Sequence, residues 1–189
     1  MTTMLACLAV LASLALGTDT TVLIGEARRD LTGDGRPETI RIVGVGQSID
    51  SLEVTLTITA DADTLYRQRM VPLTLTVGYD AGRRRITRVE HRVRIRELGS
   101  FYFDDRKFMA PAQFVERLRD SAPGRVREIP ETIARDGRFP TDTARAAAIW
   151  GEMQRTTITV FEFSPGGDGI LAIAWSPRDK RFYRLMECC

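Results

Sequence analysis

Between positions 30 and 38 the chain reads Asp-Leu-Thr-Gly-Asp-Gly-Arg-Pro-Glu. Oxygen-bearing side chains therefore fall at relative positions 1, 3, 5 and 9, namely Asp30, Thr32, Asp34 and Glu38, with Gly35 at position 6. Alternating oxygens on a sharply turning loop suit a hard divalent cation, because calcium takes six to eight oxygen ligands in flexible geometry. The same residues also suit a plain connection between strands. There Asp30 and Asp34 accept hydrogen bonds from their own backbone, while Gly33 and Gly35 take positive φ. Both readings are open at this level: a calcium loop, or a turn that only redirects the backbone.

Over these nine residues the chain resembles the acidic loop of FG-GAP and related extracellular β-repeats and, more loosely, the first half of an EF-hand or dockerin loop. The resemblance implies side-chain oxygens from Asp30, Thr32 and Asp34, a backbone carbonyl from Arg36 and a carboxylate from Glu38. Gly35 would allow the bend. It extends no further, since Arg41 stands at the twelfth position, where an EF-hand carries a bidentate acid. The motif also occurs once, whereas a propeller repeats it. With an apolar leader, an acidic loop, a meander and a cysteine-ended tail, the whole chain looks like small exported bacterial proteins.

A second chemical pattern lies further along. Arg88, Glu90, Arg92, Arg94 and Arg96 alternate with Val89, His91, Val93 and Ile95. A strand over 86–98 would show guanidinium groups on one face and bury the other. Planar guanidinium groups suit sulfate and phosphate, so Arg88, Arg92, Arg94 and Arg96 form a candidate polyanion-binding face. Its plainer counterpart is a solvated face paired with acids of neighbouring strands, which a net charge of only +2 favours.

Catalytic signatures are sparse. His91 is the one histidine and falls on the inward, apolar side of that strand, and no nucleophile elbow or phosphate loop is present. Asp104-Asp105 reads as ordinary solvated charge. A small secreted hydrolase is the competing reading, and a non-enzymatic protein is expected. Cys188 and Cys189 end the chain; adjacent cysteines close only a strained ring, so a disulfide-linked dimer, a reduced pair or a labile vicinal bridge is expected rather than a structural staple.

These groups need a scaffold. With 189 residues, 43% hydrophobic and 28% charged, the composition is that of a folded globular chain rather than a disordered one. Residues 1–17 are apolar, uncharged and end in Ala15-Leu16-Gly17, which predicts a signal peptide cut after Gly17. The apolar run is shorter than the ~20 residues a membrane-spanning helix needs. Residues 18–189 are then expected to form a single β-rich domain, periplasmic or extracellular.

Period-two patterning predicts strands over 22–28, 38–45, 52–59, 64–70 and 73–79, with 86–98 pairing back through a turn at 79–82. Pro111 followed by Phe114, Val115 and Leu118 predicts a helix near 111–120, and Asp142 is placed to cap another over 143–154. The Pro-, Gly- and Arg-rich stretch 121–141 reads as an exposed connection. A three-stranded meander closes the chain. The fold class is α+β, mainly β: antiparallel meander sheets with two short helices inserted before the final meander. The expected role is an exported binding or structural module, stabilised by calcium, acting on a protein or glycan partner.

Overall fold

A computed structural model describes residues 20–47, 52–71, 93, 97, 99–136, 141–166 and 169–188. The chain opens with four strands, β1 (Thr20–Arg29), β2 (Glu38–Gly46), β3 (Glu53–Ala60) and β4 (Asp63–Met70), paired antiparallel in sequence order. Alternation sets their faces. Ile40, Ile42, Val54, Leu56 and Ile58 are buried on one side, while Arg41, Thr55 and Thr57 lie on the other. A tight turn joins β3 to β4, with Asp61 at φ 49°, a conformation that Asp tolerates better than most residues.

The second sheet has the order β5-β6-β7-β8, built from β5 (Phe108–Met109), β6 (Val160–Gly166), β7 (Gly169–Ser176) and β8 (Arg181–Cys188). The expected three-stranded meander thus gains a short fourth strand. Three helices are inserted between β5 and β6: α1 (Pro111–Ser121), α2 (Pro123–Arg135) and α3 (Thr143–Met153). Asp142 caps α3, its side chain accepting from Arg145 N at 2.8 Å.

Helix α2 corrects the expectation of an exposed connection over 121–141. Its prolines and glycine suggested a loop, yet Ile129 and Ile133 lie one helical turn apart and are fully buried. Pro130 leaves one carbonyl without its intrahelical partner. Burying two isoleucines, at roughly 1.5–3 kcal/mol each, outweighs that loss. The other correction concerns residues 93 and 97 of the expected strand over 86–98, the rest of which lies outside the described residues. Val93 and Glu97 are helical, as are residues 99–102, where Phe103 N donates to Gly99 O at 3.2 Å. Glu is a good helix former, and at Glu97 the helix prevails over the alternating pattern. The expected strand at 73–79 and its turn at 79–82 lie outside the described residues.

The layers stack as helices, second sheet, first sheet. Strand β6 is sandwiched, so its two faces feed two cores. Phe161 and Phe163 join Leu171, Ile173 and Phe182 against Ile40, Leu56 and Ile58 of the first sheet. Val160 joins Ala172, Ala174, Tyr183 and Leu185 against Phe114, Ile129 and Trp150 of the helices. The fold is α+β and mainly β.

Candidate metal-binding loop and its surroundings

The loop between β1 and β2 brings three of the expected residues together. One ligand oxygen each from Asp30, Asp34 and Glu38 lies within 4.8 Å of the other two. Backbone donors hold them. Asp30 accepts from Gly33 N at 2.7 Å and from Gly35 N at 2.9 Å, and Asp34 accepts from Arg36 N at 2.8 Å. Glu38 is 2% exposed and accepts from Leu31 N at 2.7 Å and from the Thr32 hydroxyl at 2.9 Å, with a longer contact from Thr32 N. Gly33 and Gly35 sit at φ 75° and 84°, where L residues are strained.

The self-bonded turn that the sequence offered as the plain reading is thus present, and its carboxylates share one focus. These features are compatible, because each carboxylate oxygen has two lone pairs and these hydrogen bonds leave further acceptor capacity. Thr32 turns its hydroxyl hydrogen towards Glu38, and Arg36 enters through its N–H.

The loop is docked, as the sequence did not foretell. Thr157 Oγ1 donates to Gly33 O at 3.0 Å, Thr159 Oγ1 to Asp30 O at 2.8 Å, and Thr159 N to Leu31 O at 3.2 Å. A Cβ at Gly33 would come within 2.9 Å of Ile158 N and of Thr157. Only a glycine lets the loop approach so closely. The loop of the first sheet therefore rests on the segment that leads into β6 of the second. The alternating threonines at 157 and 159 were visible in the sequence, but nothing there linked them to residue 30.

Among the described residues no ion pair reaches Asp30, Asp34 or Glu38. Three carboxylates crowd together with neutral donors only. A different arrangement surrounds Glu162 on β6, 7% exposed, which meets Arg117 of α1 and, at 3.6 Å, Lys107 Nζ. An acid between Phe161 and Phe163 was the one signal that could have exposed this cluster, since a buried carboxylate demands partners.

Asp104 and Asp105 are each engaged by an arginine. The guanidinium and N–H of Arg106 hold Asp104 well below the usual carboxylate range, and Asp105 pairs with Arg29 at 2.5 Å. Burial pushes the Tyr66 hydroxyl up to about 12. In a groove of about 460 Å³ between α2 and β8, Arg135 pairs with Glu131 and Arg184 with Glu187, both at 3.2 Å, and Arg125 with Glu128 at 3.6 Å, while Asp136 accepts from Arg184 N at 3.0 Å. Arg88, Arg92, Arg94, Arg96, His91 and Cys189 lie outside the described residues. Cys188 ends β8 half-buried, and Arg125 Nη2 donates to its Sγ at 3.6 Å.

Among the described residues, no helix is long and apolar enough to cross a membrane. The chain matches no family model, and comparison with curated proteins and with solved structures finds no match.

Proposed function

We propose that this chain is an exported, non-catalytic β-rich binding or structural module in which a calcium ion at Asp30, Asp34 and Glu38 clips the first sheet to the second. The observation that carries the reading is the convergence of three carboxylate oxygens within 4.8 Å, none of them reached by an ion pair among the described residues. Like charges at that separation repel, and a divalent cation turns the repulsion into attraction. The docking of the loop on Thr157 and Thr159 gives such an ion a structural task. The apolar leader supports export, which would expose the loop to calcium at concentrations that fill even weak extracellular sites of ~10⁻⁴–10⁻³ M affinity.

Melting the chain with calcium and with chelator tests this. A tenfold excess of calcium over its dissociation constant adds about 1.4 kcal/mol by mass action, which raises Tm by ~3–5 °C in a domain of this size. Asp34→Ala removes an exposed ligand and is expected to abolish the gain while leaving the chelated melt within about 0.5 kcal/mol. A gain that survives in that variant places the ion elsewhere.

A further inference from the structure

We propose that the outward face of the first sheet binds a linear anionic polysaccharide. The register of the four strands places Arg28, Arg41, Arg67 and Arg69 on the side opposite to Ile40, Ile42, Leu56 and Ile58. Arg28 faces Thr39 across β1 and β2, so it is the diagonal neighbour of Arg41. Arg41 faces Thr57, which in turn faces Arg67. Strand spacing puts Arg41 and Arg67 about 10 Å apart at the backbone, and Arg67 and Arg69 about 7 Å apart. The four guanidinium groups therefore cross the sheet as an oblique track rather than a cluster at one point.

Charge on this face is unbalanced. Arg41 pairs with Glu26 at 2.5 Å and Arg69 with Glu53 at 2.9 Å, both across exposed side chains, whereas Arg28 and Arg67 have no acidic partner among the described residues. Exposed pairs of this kind are weak and exchange readily for another anion. Among the described residues, four arginines against two glutamates leave an excess of +2 on this face, carried by Arg28 and Arg67. Both are exposed.

The chemistry between the arginines selects the partner. Thr39, Thr55, Thr57 and Thr59 fill the ground between them, and no aromatic side chain points outward from these four strands. Single-stranded nucleic acid is held by stacking on aromatic platforms as well as by charge. This face offers hydroxyls instead, which hydrogen-bond to sugar hydroxyls while guanidinium groups take sulfate, phosphate or carboxylate in two-pronged contacts.

Retention on immobilised heparin tests the assignment. The wild-type chain is expected to bind at low salt and elute as salt rises, with Arg28→Glu/Arg67→Glu weakened roughly tenfold or more and its salt dependence flattened. A charge-matched control, Arg119→Glu/Arg127→Glu on the exposed sides of α1 and α2, is expected to bind as the wild type does. Arg28→Gln/Arg67→Gln, which adds no new charge, should show an intermediate loss and guards against misfolding of the reversal variant; unchanged melting confirms that both fold. Passage of the wild type through heparin at low salt overturns the proposal, as does equal weakening in the control. Oligo-dT bound as tightly as heparin overturns the choice of a polysaccharide.

Discussion

Glu38 and Glu162 are the two buried acids among the described residues, and the fold satisfies them in opposite ways. Glu162 sits in the interior of β6 facing the helices, where Arg117 and Lys107 bring cations to it. Glu38 begins β2 beside two more acids and receives only N–H and O–H donors. The first arrangement closes its charge within the chain. The second holds three carboxylates in position with no ion pair to any of them among the described residues. A buried carboxylate is thus evidence of an ion site only where its neighbours repeat its charge.

The largest effect is expected for Glu38→Ala. Leu31 N, buried and strongly bonded to Glu38, loses its acceptor together with two Thr32 donors, and a loss of about 3 kcal/mol is expected in denaturant unfolding. A loss below about 1 kcal/mol would mean that water takes over these donors and that the loop does not depend on its acid.

Glu162→Gln should destabilise by about 2 kcal/mol. That lies below the ~3–5 kcal/mol of a fully buried pair, because Arg117 is 39% and Lys107 22% exposed and both regain water. Calcium should leave this variant's relative stability unchanged. Replacing all three groups together, with Lys107→Met, Arg117→Leu and Glu162→Leu, is expected to recover most of the loss, as closed charge clusters are commonly exchangeable for apolar packing. No recovery would show that the cluster also fixes the position of α1.

The smallest effect sharpens the contrast. In Glu38→Gln the amide oxygen keeps the backbone bonds while the Thr32 hydroxyl rotates to accept from the new NH₂ group, so the chelated protein should lie within about 1 kcal/mol of wild type. Its calcium response should nevertheless vanish. Calorimetric titration checks this; retained binding would show that Glu38 acts in the turn alone.

Much of the scaffold was legible. Val54-Thr55-Leu56-Thr57-Ile58 could only be a half-buried strand, and Asp142 with Ile149, Trp150 and Met153 specified a capped helix, although the buried alanine is Ala146 rather than the expected Ala147. Helix α2 was obscured because Pro123, Gly124 and Pro130 are local breakers, while the burial of Ile129 and Ile133 that overrides them is a tertiary quantity. The arginine track was not legible for a related reason. Arg28, Arg41, Arg67 and Arg69 are scattered over forty positions and become neighbours only through strand register.

The sequence by itself determined the order of polar and apolar positions in the first four strands and the spacing of oxygens from residue 30 to 38, because both are local and follow from strand and turn geometry. Tertiary structure decided the rest. It set that loop on Thr157 and Thr159, brought Lys107 and Arg117 to Glu162, and aligned the outward arginines. Each of these juxtapositions depends on how sheets and strands pack, and packing joins residues by free energy of burial and hydrogen bonding rather than by distance along the chain.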